Sequence, residues 1–311
     1  MSTASQSFAI PRSGTSLLRD YAELMKIRIT VMVMITSWAG YYFGAGRAGT
    51  TALSWKLVYA LLGIGLLSAG ASALNEVLER DIDALMRRTA RRPLVQGRMS
   101  SAHGLMAGIG ATLLGAALLE LLVNPLTGAL GLATSVIYLG AYTPMKRLTP
   151  WCTFVGAFPG AMPTVLGWTA ARGSLDWEAL LLFAILFFWQ FPHFYAIAWL
   201  YREDYERAGV RMLPVVEPDG RSTARSVLLY TFALVAATIA PALVGMTGGI
   251  YLGGAIFLGG LYFFAGWRLW SAGLSPTTAS SKKLARHVLL ASVIYLPLLF
   301  AIMVANATGT H

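Results

Sequence analysis

Long apolar runs separated by short charged stretches recur along the whole chain. A helix needs about 20 mostly apolar residues to cross a hydrocarbon core of roughly 30 Å. Nine segments meet that requirement: 25–44, 54–77, 102–123, 125–143, 150–171, 177–200, 224–246, 248–269 and 286–306. Gly and Pro fall inside several of them, as in AFPGAMPTVLG and IAPALVG, and helices buried in a membrane tolerate both better than soluble ones do. The pattern predicts an all-α polytopic membrane protein of nine transmembrane helices. Residues 1–24 form a tail, 25–306 the membrane domain and 307–311 a short C-terminal end. No fixed-period repeat is present. Each half nevertheless carries an apolar span, an acidic cluster, arginines and a small turn region, compatible with two related bundles.

Composition agrees. Hydrophobic residues make up 56% of the 311, charged residues only 12%, and the mean hydropathy is +0.62, whereas a soluble domain carries about 25% charged residues. The first 20 residues are polar and Ser-rich with no apolar core, so no cleavable signal peptide is expected. The lone cysteine, Cys152, excludes an intramolecular disulfide and a Cys-rich zinc site and is read as a packing residue.

The net charge of +10 would suggest nucleic acid in a soluble protein. Here it has a topological cause, because Lys and Arg of membrane proteins gather in cytoplasmic loops. With the N-terminus placed inside, 21 Lys and Arg fall on the inner side, and only Arg47, Lys56 and Arg172 fall outside. That split predicts a cytoplasmic N-terminus, a periplasmic C-terminus and an odd number of spans. No nucleic-acid partner is expected.

Acidic residues are under no such demand, yet nine of the fourteen lie in two inner loops. Glu76, Glu79, Asp81 and Asp83 follow the second span; Glu203, Asp204, Glu206, Glu217 and Asp219 follow the sixth. Asn75, Glu79 and Asp83 fall at i, i+4 and i+8, which sets them in a slanting row about 12 Å long on one helix face. The row offers oxygen alone. Such donors suit Mg²⁺, a hard cation usually held by one or two carboxylates together with substrate phosphates. The stretch MRRTARRPLVQGR follows, and arginine donates bidentate hydrogen bonds to phosphate oxygens. A magnesium-bound diphosphate fits both. Arginines that pair with lipid phosphates or enforce topology are the plainer reading. Ion coupling in a transporter is another use of intramembrane carboxylates, although transporters commonly place such sites at mid-membrane, and this row sits at a helix end.

These residues also form a recognisable pattern. Asn75-x-x-x-Glu79-x-x-x-Asp83 resembles the first aspartate-rich motif of the UbiA superfamily of intramembrane prenyltransferases. The strings ERDIDALMRRTARRPL, YTPMKR and FFWQFPHFYAIAWLYREDYERAGVRMLPV resemble the branch of it that farnesylates protohaem IX. The resemblance runs from about Lys26 to the last span. It implies nine helices around a central cavity open sideways to lipid, residence in a bacterial inner membrane, and Mg²⁺-dependent prenyl transfer. Farnesyl diphosphate is the implied donor and haem b the acceptor, with the product passed to the enzyme that makes haem A.

Carried over by position, Asn75, Glu79 and Asp83 would hold the magnesium–diphosphate. Arg87, Arg91 and Arg92 would bind the diphosphate, with Lys146 and Arg147 reaching it from the next inner loop and Lys26 and Arg28 as weaker candidates. At the second motif many superfamily members have two aspartates four apart. Here Tyr201 and Tyr205 take those places, flanking Arg202, Glu203 and Asp204. A pairing of Arg202 with Asp204 that shapes a lid is expected in place of a second metal.

Phe187, Phe188, Trp189, Phe191, Phe194, Tyr195 and Trp199 are expected either to wall the cavity, where π faces attract cations, or to form an interfacial aromatic belt. His193 follows Pro192 inside span 6. It is a candidate to ligate haem iron or carry a proton, against the plain reading of a polar residue satisfied by a neighbouring helix. Gly and Ala in SAGASALNE and GAFPGAMP allow close helix approach. Prenylation of an aromatic acid or quinone precursor, and a non-catalytic transporter, are the alternative functions.

Overall fold

The computed structural model describes residues 17–308. Most of the tail predicted over 1–24, with Arg12, and the last three residues, with His311, lie outside the described residues. Nine long helices are found among the described residues: α1 (Ile27–Ala48), α2 (Trp55–Leu78), α3 (Ser101–Leu122), α4 (Pro125–Val136), α5 (Cys152–Arg172), α6 (Trp177–Leu200), α7 (Arg221–Leu243), α8 (Gly249–Ser271) and α9 (Ala279–Ala305). They match the nine predicted spans to within a few residues at most ends. Seven, with α4 counted on to Met145, are long and apolar enough to cross a membrane by length and composition alone; α1 and α5 are as long but less apolar.

Local chemistry sets many of the boundaries. Ser54, Ser100, Asn124 and Thr278 cap the starts of α2, α3, α4 and α9, each side-chain oxygen accepting a backbone N–H of the first turn. Gly49 and Gly173 end α1 and α5 in the left-handed conformation, at φ 65° and 71°, where a Cβ would be strained. A π-helical turn, Ile137–Tyr142, continues α4 into Thr143–Met145. Pro144 explains it. Proline donates no N–H, so the ladder shifts register just upstream, and Thr143 bonds the Tyr138 carbonyl through both its amide and its hydroxyl, the latter at 3.0 Å.

The largest core joins α5–α9 around Trp168, Phe191, Trp199, Tyr262 and Tyr295. α2 packs along α3, and α1 packs along α5. The α1–α5 seam is backbone against backbone. A Cβ on Gly40 would stand 2.0 Å from the Thr164 carbonyl oxygen, and one on Gly167 would stand 1.8 Å from that of Ser37. Gly167→Ala therefore destabilises the fold by about 3 kcal/mol, seen as a lower unfolding temperature in detergent. Gly260→Ala, with nothing within 4 Å of the new methyl, leaves that temperature unchanged or raises it.

Candidate functional site: a cavity with a charged end

A cavity of about 380 Å³ lies between α1, α2, α4, α5 and α6. Its charged end is formed where α2 stops. The helix does not run on through the acidic row. It breaks at Glu79 (φ −100°, ψ 8°) and resumes as the short turn Arg80–Ala84. Asn75, Glu79 and Asp83 nevertheless all line the cavity, and all are buried.

Each member of the row is held by a base or a hydroxyl from elsewhere in the chain. The Asn75 Oδ1 accepts from Lys26 Nζ at 2.9 Å, and its Nδ2 donates to Thr143 Oγ1 at 3.1 Å. Lys146 Nζ donates to both Glu79 oxygens, at 2.7 and 2.9 Å. Arg92 donates to Asp83 Oδ2. Burial pushes the Asp83 carboxyl above the usual carboxylate range, against the pull of Arg92.

The predicted cations divide. Lys26, Arg92 and Lys146 line the cavity, while Arg28, Arg87, Arg91 and Arg147 are exposed and do not. Arg88, which sequence reasoning missed, does line it. Its guanidinium lies 5.7 Å from the Tyr201 ring centre and 5.9 Å from that of Tyr205, and donates to the Tyr205 hydroxyl at 3.4 Å. The two inner acidic loops thus meet across the cavity mouth through one arginine and two tyrosines. The loop residues pair differently from expectation. Arg202 binds the Pro214 carbonyl at 2.9 Å and Glu206 at 3.4 Å, Asp204 binds Arg207 at 3.2 Å, and Glu203 binds Lys282 at 2.9 Å. An i, i+4 geometry suits Arg202 and Glu206 on one turn, whereas Asp204, two residues from Arg202, points elsewhere.

Glu76 was also missed. It is fully buried, neither carboxylate oxygen has a hydrogen-bond partner, and Arg92 Nε stands 3.9 Å away. Arg92 is thereby set between two buried carboxylates.

Of the seven rings predicted on α6, only Phe194 lines the cavity. Phe187 and Phe191 pack on Phe154, and Phe191 stacks on Tyr230 at 3.8 Å. The cavity's other rings are Tyr138, Tyr142 and Tyr205. The π turn keeps Thr134, Tyr138, Tyr142 and Lys146 on one wall, and Lys146 Nζ lies 4.6 Å from the Tyr142 ring centre. Their four-residue spacing was the available signal.

His193 points away from the row, toward α9. Its ring stacks on Trp189 at 4.6 Å, and Nδ1 lies 2.8 Å from Ser292 Oγ. Ser292 Oγ also donates to the Leu289 carbonyl at 2.6 Å, so the imidazole is anchored through Nδ1 to a hydroxyl that is itself fixed on α9.

Among the described residues no three acidic, His or Cys side chains stand together as a ready-made metal cage. The donor set still fits magnesium by its chemistry. One amide and two carboxylate oxygens face a shared cavity beside four cations, and Mg²⁺ commonly completes its shell with phosphate oxygens and water.

A model of the UbiA prenyltransferase family matches residues 33–290. The protoheme IX farnesyltransferase of Koribacter versatilis (strain Ellin345) is 56% identical over 309 residues, covering 99% of this chain and 100% of that protein. Among solved structures, one of digeranylgeranylglyceryl phosphate synthase superposes with a TM-score of 0.75 at 16% identity, covering 93% of this chain and 98% of that one. A UbiA homolog from Archaeoglobus fulgidus bound to GPP and Mg²⁺ superposes with a TM-score of 0.64 at 18% identity, covering 91% and 99%. At those identities the likeness is one of fold.

Proposed function

Since the chain belongs to the UbiA prenyltransferase family, we propose that it transfers a farnesyl group from farnesyl diphosphate to a vinyl group of protohaem IX (haem b), giving haem O and diphosphate. One observation carries the chemistry: a single cavity joins a row of hard oxygen donors and four cations at one end to an apolar interior at the other.

The diphosphate lies at the charged end. Lys26, Arg88, Arg92 and Lys146 would take its oxygens, and Asn75, Glu79 and Asp83 would hold the magnesium. When bound, that ion supplies further stabilisation of the charge on the leaving oxygens. Preorganised groups of this kind are usually the largest single catalytic contribution. The allylic carbon–oxygen bond breaks with its electron pair going to diphosphate. Tyr138, Tyr142 and Phe194 then face the allylic cation, and the lipid-embedded wall keeps water from it. The vinyl π pair of the haem forms the new carbon–carbon bond. Water adds at the adjacent carbon and loses a proton, leaving the hydroxyl of the product.

The cavity has the size of a site for one small ligand, so the haem approaches from its side. His193, held to α9 through Nδ1, is the acceptor-side group, as iron ligand or proton carrier. The Lys and Arg split supports a cytoplasmic N-terminus and a charged end on that same face; in this reading the membrane is a bacterial inner membrane and the product passes to the enzyme that makes haem A.

Purified protein given farnesyl diphosphate, haem b and Mg²⁺ yields farnesylated haem by mass spectrometry. Divalent-ion depletion stops turnover and added Mg²⁺ restores it. Prenylated 4-hydroxybenzoate without farnesylated haem rejects the acceptor assignment, and turnover that survives depletion rejects the metal site.

A further inference from the structure

The end of the cavity opposite the charges is closed. Ile64 and Leu67 of α2, Leu166 of α5 and Gly131 of α4 line it there. The three larger residues are 2%, 3% and 4% exposed and pack, with the fully buried Leu119 of α3 behind them, into one apolar cluster. Leu67 fills the space that a side chain at position 131 would occupy, its Cδ1 lying 2.6 Å from where that Cβ would stand. Helices from four directions thus make a floor of apolar side chains, with Leu67 and Leu119 filling the space beside Gly131.

The floor stands at a definite depth. On α2 the lining runs from Asn75 to Ile64, about 16 Å along the axis. On α5 it runs from Thr153 to Leu166, about 20 Å. An extended chain of three isoprene units is about 14 Å long at ordinary carbon–carbon spacing. With its diphosphate at Asn75, a chain of that length reaches the floor, and one more unit overruns it. Midway along α2, Ser68 lines the cavity, about 10 Å from Asn75, close to where two units end.

Building on the prenyl-transfer reading above, we propose that the Leu67–Leu166 floor sets the isoprenoid length the protein accepts. Apolar contact at the terminal unit stabilises the farnesyl chain. A fourth unit must bend back or displace a packed side chain.

The test compares geranyl, farnesyl and geranylgeranyl diphosphates on the full-length protein in detergent. Binding of radiolabelled donor is measured with Mg²⁺ and without haem, and product masses are measured with haem b added. Leu67→Ala and Leu166→Ala each shift the preference toward geranylgeranyl over farnesyl by about tenfold or more, and Ser68→Leu shifts it toward geranyl by a similar factor. Folded, monodisperse variants that keep the wild-type order of preference overturn the proposal, because the tail then lies elsewhere. If both floor variants fail to fold, Ser68→Leu, which adds bulk only to cavity space, decides alone. A wild type that binds farnesyl diphosphate above both the shorter and the longer donor but alkylates no haem leaves the floor standing and removes the acceptor assignment.

Discussion

Replacing Asp83 by Asn, or Asn75 by Ala, lowers turnover by about a hundredfold to a thousandfold, while protohaem binding persists. Both side chains are buried in the cavity's charged end, so neither acts through bulk solvent. Asp83→Asn keeps the volume and removes a charge. Asn75→Ala removes the one neutral oxygen of the row and the hydrogen bonds to Lys26 and Thr143. Farnesylated haem measured by chromatography, with haem binding followed by absorbance in the same preparations, separates lost chemistry from lost acceptor. Wild-type rates in both variants would discard the row as the diphosphate–metal site.

Arg92→Met damages both stability and turnover. The guanidinium stands between Asp83 and Glu76, and both carboxylates are buried. Removing the shared cation leaves two buried carboxyls without their counter-charge, a loss of about 3–5 kcal/mol. Arg92→Lys restores the charge but not the planar fork, so it recovers part of the unfolding temperature and little of the rate. Thermal unfolding in detergent, read beside the farnesyl-transfer assay, checks both. An unfolding temperature equal to wild type in Arg92→Met would show that the carboxylates are solvated or protonated.

The helices were legible because lipid imposes length and apolarity on every span, and the nine segments needed only that rule. The site was legible in part. Asn75, Glu79 and Asp83 share the cavity, although not as one uninterrupted helical face, because the backbone breaks at Glu79. The i, i+4 count survives a change of direction that keeps the row on the cavity side. The arginines were harder. Once α2 ends, no period indicates which of Arg87, Arg88, Arg91 and Arg92 turns inward, and the cavity takes Arg88 and Arg92. The aromatic cluster on α6 misled for the opposite reason. A helix packed on several neighbours buries rings on most of its faces, so abundance did not reveal which ring meets the cavity. Tyr138 and Tyr142 lay in a segment whose π turn follows from Pro144, yet proline alone does not say whether a helix kinks, ends or widens. Glu76 stood inside the acidic string but outside the four-residue spacing, and only the packed structure shows that it has no hydrogen-bond partner.

The seam between α1 and α5 bears on how a bulky planar guest gets in. Glycines bring the two main chains together there, leaving few side chains between them to swing aside. Prying such a zipper open would sacrifice contact along its length and gain nothing until it had parted completely. Traffic into the interior is therefore steered to the joints where helices meet through long, rotatable side chains, and the stiff seam acts as the doorpost against which those joints move.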